Sequence, residues 1–490
     1  MQGVASMLRW DVRLQVRYGF YAVYAVIVTA FTLGLTQVPS SFRATALVLV
    51  LMGDPAFLGF YFIAALVLFE KREGVVDALT LSPLSGVEYL ASKTLSLTLL
   101  ALLASSIVAV FGYGLDFAPL PFLVGIVLTS ALFVLVGFIA VARFDDLNAY
   151  FMTPLVYLLP TSLPMLDYLG LVENSLVYLV PTQASLVLID AAFRPAPTWE
   201  LAYGVGYLSL SVAVAAVFAR RAFERHIVQG LSSGTSESGA ARGSIVGRGR
   251  SYGPVVSLAI ADLKNWLRDP MLAFFAAVPL FYAVLGRLAV PYVADLLAPG
   301  FELTPYYPLV LGVFLFLAPL TFGFVTGFFI LEERDQNVLA ALLTTPLTGR
   351  GYLLYRSISV TVVTFALMFL TVPLVGLLPV PVTLLVGICA VGSLWTFACA
   401  LLLSAFASNT VEGVAVSKFF GLTVMVPVVG VLVAPEPWQF FAGVFPAYWP
   451  LKAFLVGVDG GSTVAVVGLL AVGVAAHLVV IGAFVRRFRV

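Results

Sequence analysis

Long, nearly unbroken apolar runs limit what this 490-residue chain can fold into more than any other feature. FLVGIVLTSALFVLVGFIAVA from Phe122 and VAVVGLLAVGVAAHLVVIGAFV from Val464 are examples. About 20 such residues in helical form cross a hydrocarbon layer about 30 Å thick. In lipid every backbone donor and acceptor must be satisfied within the segment, which a helix does by itself. A transmembrane barrel would show strict alternation instead, and these runs are continuous. Composition agrees: 61% of residues are hydrophobic and 10% charged, against about 45–50% and about 25% in soluble domains. The mean hydropathy is +1.06. The expected fold class is an all-α integral membrane protein.

The second constraint is internal repetition. FEKREGVVDALTLSPLSGVEYLASK, from Phe69 to Lys93, returns as EERDQNVLAALLTTPLTGRGYLLYR, from Glu332 to Arg356. With Pro83 set against Pro346, Glu70 to Lys93 aligns without a gap to Glu333 to Arg356. Identical pairs include Glu70/Glu333, Val75/Val338, Ala78/Ala341, Leu79/Leu342, Gly86/Gly349 and Tyr89/Tyr352, and Lys93/Arg356 is conservative. Asp11 and Arg17 in DVRLQVRYG likewise match Asp262 and Arg268 in DLKNWLRDP. A unit repeated once over half the chain implies two like domains. The expected boundaries are a first half at 1–229, a Gly/Ser-rich flexible tether at 230–251 and a second half at 252–490.

Hydropathy places six spans in each half. They lie near 18–36, 44–69, 94–115, 119–142, 149–169 and 199–219, then near 271–290, 307–331, 357–378, 382–407, 413–434 and 462–485. Two further apolar stretches, from Ser175 and from Phe440, are interrupted by Pro181 and Pro446 and read as re-entrant or interfacial helices on the outer side. The N-terminus reads as retained and cytoplasmic, without a cleavable signal. All of the 26 Lys and Arg except Arg43, Arg194, Arg287 and Lys452 then fall on the cytoplasmic side, as the positive-inside rule requires. Six is even, so both halves share one orientation, and both termini are cytoplasmic.

The repeated segment follows the second span of each half. Val75, Ala78 and Leu79, like Val338, Ala341 and Leu342, make an apolar stripe at helical spacing. Pro83 and Pro346 stop that helix, because proline lacks the donor and clashes with the preceding turn. Ser85 with Glu88 has the form of a capping box for a second short helix leading into the third span. Two readings follow: a surface anchor for the loop, or a docking element shown twice to two copies of a cytoplasmic partner.

These residues carry a resemblance. The pattern E-x-x-x-G-x-x-x-A-L-x-x-x-P-L-S-x-x-E-Y-L-x-x-K after the second of six spans resembles the ABC-2 type permease family. The first half is similar to fluoroquinolone-type export permeases through LRWDVRLQVRYGFY at Leu8 and GDPAFLGFYF at Gly53; the second half resembles general ABC-2 permeases through DLKNWLRDPML. The resemblance implies two tandem six-helix halves of type V exporter-like architecture. It also implies an amphipathic surface helix before the first span and short outer helices before the sixth. A coupling helix between spans 2 and 3 would dock an ABC ATP-binding subunit, in two copies per chain. Coupling then falls on Glu70, Glu73, Gly74, Leu79 and Pro83, and on Glu332, Glu333, Leu342 and Pro346. Gly74 becomes Asn337 and Glu88 becomes Gly351, so the two docking sides need not be equal. ATP and magnesium would be held by the partner; this chain would bind no cofactor or metal, contact no nucleic acid, and sit in the plasma membrane of a prokaryote.

No G-x-x-x-x-G-K-[ST] loop occurs in the chain, so it is not expected to be an enzyme of the P-loop kind. Asp54, beside Pro55, reads as a helix cap at the outer start of span 2 or as a proton or substrate site. Phe60, Phe62, Phe322 and Phe324 read as packing residues, or as one wall of a hydrophobic export path. His477 is expected to bond a neighbouring helix, with a substrate or proton role as the alternative. Cys389 and Cys399 read as packing residues. The functional reading is the permease of an ATP-driven exporter for a hydrophobic or amphiphilic, drug-like or lipid-like substrate. The rivals are an ion-driven twelve-span carrier and a membrane assembly factor that transports nothing.

Overall fold

The computed structural model describes residues 2–17, 19–53, 58–75, 85–144, 150, 153–170, 174–228, 270–298, 301–335, 349–417 and 419–487. Among these, every regular element is a helix. The chain separates into two compact units, Met1–Gly243 and Ser244–Val490. The tether expected at 230–251 lies outside the described residues.

The first unit contains α1 (Gln2–Arg17), α2 (Phe20–Gln37), α3 (Ser40–Leu51), α4 (Leu58–Arg72), α5 (Gly86–Gly112), α6 (Pro119–Val141), α7 (Thr153–Thr161), α8 (Leu163–Tyr168), α9 (Pro181–Asp190) and α10 (Thr198–Phe223). The second contains α11 (Pro270–Leu297), α12 (Tyr307–Asp335), α13 (Gly349–Val375), α14 (Val382–Gly392), α15 (Leu394–Phe406), α16 (Thr410–Ser417), α17 (Phe419–Val433), α18 (Tyr448–Val458) and α19 (Thr463–Arg487). Nine helices among the described residues are long and apolar enough to cross a membrane, or ten if the bent pair α1–α2 is counted as one.

Ten of the twelve expected spans correspond to these helices, with α14 and α15 together making one span and α16 with α17 another. The other two differ. The interval 44–69 holds two shorter helices, α3 and α4, and 149–169 holds α7 and α8. Proline accounts for the second departure. Pro160 lies inside α7 and Pro164 opens α8; each removes a backbone donor and crowds the turn before it. Asp54 itself lies outside the described residues. The proline-broken stretches form the same motif in each unit: a 3-10 turn followed by a short helix. Ser175–Leu179 leads into α9, and Trp438–Val444 leads into α18.

The most extensive interface within each unit joins the second apolar helix to the fourth, α4 to α6 and α12 to α15. Glycine makes this possible. A Cβ on Gly137 of α6 would lie 2.7 Å from the Phe60 carbonyl oxygen and 2.8 Å from its Cα. One on Gly323 of α12 would lie 2.5 Å from the Cβ of Cys399. Small residues let helix backbones approach, which is the main source of packing energy where lipid tails are as apolar as leucine. Cys399 and Cys389 are buried and unoxidised.

Three of the four cations assigned to the outer side are tied inward. Arg43 donates to the Val38 carbonyl at 3.2 Å. Arg194 donates to Asp190 and Tyr168 at 3.1 and 3.2 Å and also to Thr45. Lys452 donates to Glu436 at 2.6 Å and Gln439 at 2.9 Å. The Lys452 ammonium holds the exposed Glu436 carboxyl below the usual range.

The glycine contacts predict opposite outcomes for two like substitutions. Gly137→Ala should destabilise the protein by about 1–3 kcal/mol, because the methyl meets fixed backbone. Gly206→Ala in α10, where nothing lies within 4 Å, should be neutral or stabilising by up to about 1 kcal/mol. Thermal unfolding of the two purified variants in detergent checks the pair.

Candidate functional site

The repeated segment begins where the second apolar helix ends, and there the two units share one arrangement. α4 carries Glu70, Lys71 and Arg72 as its last turn. It stops because Gly74 adopts a left-handed conformation, φ 66°, which glycine reaches without a Cβ penalty. Glu70 therefore lies in the last turn of the second apolar helix. Residues 76–84, with Leu79 and Pro83, lie outside the described residues, as do 336–348, with Leu342 and Pro346.

The chain re-enters at Ser85, and the capping box is present. The Ser85 hydroxyl accepts from the Glu88 amide at 3.3 Å, and Glu88 accepts from the Ser85 amide at 3.0 Å. It caps no separate short helix, however. The helix it starts is α5, a continuous 27-residue element.

Three charges meet between these ends. The Lys93 ammonium, fully buried about two turns into α5, bonds Asp11 of α1 at 2.5 Å and also Glu70 of α4. The second oxygen of each acid is also engaged: Tyr89 donates to Glu70 and Ser92 to Asp11, each at 2.6 Å. One turn along, Gln15 of α1 donates to Ser96 of α5 at 3.0 Å. This explains why α1 buries Asp11 between Met7 and Leu14 on one face. A carboxylate inside a buried stripe is tolerated only with a partner charge and hydrogen bonds. The opposite face of α1 leaves Arg9, Trp10, Arg13 and Arg17 exposed.

The second unit repeats the core of this arrangement with one cation exchanged. Arg356 of α13 pairs with Glu333 of α12, and Tyr352 donates to the same carboxylate. Asp262, the counterpart of Asp11, lies outside the described residues. Glu333 is more open than Glu70, with its side chain 22% exposed against 2%.

A second contact, which the alignment held but the spacing did not single out, sits beside the first. Lys71 donates to the carbonyls of Ala142 and Phe144, at 2.8 and 2.7 Å, just past the end of α6. At the aligned position, Arg334 donates to Ser404 at 3.3 Å and to Ala407, at the end of α15. Cations satisfy the unpaired carbonyls at a helix C-terminus and suit its dipole. The acid–base pair at 70–71 and 333–334 thus clamps the second apolar helix to the third on one side and to the fourth on the other. The last long helix joins as well. Phe223 packs against Tyr89 and Phe138, and Phe484 packs on the cluster containing Tyr352 and Phe397.

The remaining expected site residues fall elsewhere. Glu73 is exposed and Glu332 half-buried at the margins of the segment. Phe60 is buried beside Tyr150 and Tyr157, and Phe62 stacks on Phe20 at 3.9 Å. Phe322 is buried too, whereas Phe324, beside Phe328 at 4.6 Å, is partly exposed. A side chain with no exposed surface lines no path in this conformation, so the first three are packing residues here. His477 bonds no neighbouring helix through Nδ1: that atom lies 2.7 Å from the Gly473 carbonyl of its own helix, and the ring packs edge-on to Trp395.

Removing the central cation should be costly, and unequally so. Lys93→Met leaves two carboxylates buried and should destabilise the first unit by about 3–5 kcal/mol. Arg356→Met, beside the more open Glu333, should cost clearly less. Denaturant unfolding of both variants, followed by a reporter placed in each unit, measures the difference.

Two family models match the chain, one on each half. Residues 2–231 match the Fluoroquinolones export permease protein family. Residues 262–485 match the model described as Fluoroquinolones export permease protein Rv2686c-like. Among characterised relatives, fluoroquinolones export permease protein Rv2687c of Mycobacterium tuberculosis strain H37Rv is 35% identical over 235 residues, covering 47% of this chain and 98% of that protein. Rv2686c of the same strain is 31% identical over 239 residues, covering 46% of this chain and 91% of that protein. Each relative is the size of one half. With a permease match on each half, the chain belongs to the fluoroquinolones export permease family of ABC-type export permeases, in a duplicated arrangement.

Proposed function

We propose that this chain is the permease component of an ATP-driven exporter in a prokaryotic plasma membrane, forming its translocation path and worked by separate ATP-binding subunits. One copy docks beneath residues 76–84 and another beneath 336–348, on the cytoplasmic side, where both termini also lie. ATP and magnesium are held by those partners. The observation that carries this reading is the common wiring around the two segments. In each unit the residue entering the segment, Glu70 or Glu333, is bonded to the residues leaving it, Tyr89 with Lys93 or Tyr352 with Arg356. A surface anchor needs no such closure. A lever does: force applied to the segment must move several helices together, and Lys71 and Arg334 extend the same connection to the fourth apolar helix.

The roles of the individual residues follow from this. Contact with the ATPase falls on Leu79, Pro83, Leu342 and Pro346, flanked by Glu73 and Glu332, with Gly74 setting the angle of departure. Glu70 and Glu333 transmit the motion and touch no partner. The substrate is hydrophobic or amphiphilic. The printed names of the relatives say fluoroquinolones, and a planar aromatic drug of that kind is one member of the class proposed here.

Affinity purification of the tagged chain in mild detergent, with transport measured in parallel vesicles, tests the scheme. The expected result is a co-purifying ATPase in two copies, lost with Leu79→Arg and Leu342→Arg together. Glu70→Gln with Glu333→Gln should keep the ATPase bound while transport falls at least about tenfold. Loss of the ATPase from the glutamine variant would return those carboxylates to the docking surface. Absence of any ATPase from the wild type would overturn the reading.

A further inference from the structure

The end of α10 carries a feature that neither clamp uses. Leu210, Val214, Val217 and Phe218 form an exposed apolar stripe on this helix, at the three- and four-residue steps that place side chains on one face. Only 17% of the helix's most apolar window is buried within the protein, so this stripe faces lipid. The same face continues into Arg221 and, one turn later, Arg225. The Arg221 guanidinium lies over the Phe218 ring, 5.8 Å from its centroid.

A third exposed arginine arrives from another element. Arg143 follows α6 and lies over the Phe144 ring, 4.8 Å from its centroid. Lys71 fixes this turn by its bonds to the Ala142 and Phe144 carbonyls, and Phe138 of α6 stacks on Phe223 of α10. Arg143, Arg225 and Lys71 all lie within electrostatic reach of His226. Among the described residues, the neighbouring acid Glu224 is taken by Arg220 at 2.8 Å; Asp145 and Asp146, which follow Arg143, lie outside them. Like charges brought together at the edge of a low-dielectric layer repel unless an anion sits among them.

We propose that Arg143, Arg221 and Arg225, with His226 beside them, bind the phosphate headgroup of an anionic phospholipid whose acyl chain lies along the Leu210–Phe218 stripe. Arginine suits the task, since its planar fork takes phosphate oxygens in pairs and stacks on aromatic rings. The position is where such a headgroup would be found, at the point where an apolar face turns basic. The test reads lipid retention directly, so it gives an answer whether or not an ATPase is bound.

The test is native mass spectrometry of the full chain in detergent, titrated with phosphatidylglycerol, phosphatidylcholine or inorganic phosphate. Phosphatidylglycerol should be retained in preference to phosphatidylcholine, and inorganic phosphate should not displace it. Arg143→Gln with Arg221→Gln and Arg225→Gln should weaken that retention by about tenfold or more. Arg486→Gln with Arg487→Gln, at the end of α19, should leave it unchanged. Arg225→Gln alone, at an exposed position, gives a smaller loss and guards against misfolding of the triple variant. Equal retention by wild type and both arginine variants, no headgroup preference, or displacement by inorganic phosphate would each overturn the proposal. So would a triple variant that keeps its lipid and loses a bound soluble protein.

Discussion

A lysine buried among two carboxylates fixes the first unit. Lys93 has no exposed surface, and neither has Asp11. Desolvating three charges costs several kcal/mol each, returned only if every one finds a partner in good geometry. Here the ammonium bonds both acids, and Tyr89 and Ser92 take the remaining carboxylate oxygens. Three helices can satisfy those demands together in one arrangement: α1, α4 and α5 in the register that brings residues 11, 70 and 93 to one point. An apolar contact would have tolerated sliding. A charged one does not, and this is the best-attested use of buried ion pairs.

The second unit shows what can vary. Arginine replaces lysine at 356, and Glu333 keeps both its tyrosine and its cation. The guanidinium reaches the acid through one terminal nitrogen, where the ammonium of Lys93 reaches two acids. The neighbouring cation changes the other way, Lys71 to Arg334, and still finds carbonyls at the end of the fourth apolar helix. Duplication has preserved the connections and exchanged the chemistry that makes them. Around them the close helix pairs are set by glycines at different positions, Gly59 and Gly137 in one unit, Gly323 and Gly327 in the other.

Proline explains where some apolar runs divide and others continue. Where an apolar run holds an internal proline but long helix on either side, as at Pro319 in α12 or Pro279 in α11, the helix continues. Where prolines are closely spaced, as at Pro160 and Pro164, it divides. One missing hydrogen bond is tolerated when neighbouring helices support the turn; two within five residues leave too little helix between them.

Much of the fold and part of the site could be read from the residues themselves. Apolar runs longer than a bilayer core dictated helices, because lipid offers the backbone no other donors or acceptors. The segment pair at 70–93 and 333–356 revealed the duplication, because proline, glycine and tyrosine recur in fixed register. The capping box at Ser85 was local chemistry within four residues and so was visible. The direction of Glu70 was not. An acid in the last turn of a helix reads as surface, and only the tertiary structure, by bringing Asp11 and Lys93 to it from positions 59 residues before and 23 after, turned it inward. Lys71 and Arg334 were legible as an aligned basic pair, yet their carbonyl partners lie some 70 residues away. A sequence states which groups need partners. Which partners they obtain is decided by the packing of helices distant in the chain, and that depends on the shapes of faces that no local pattern records.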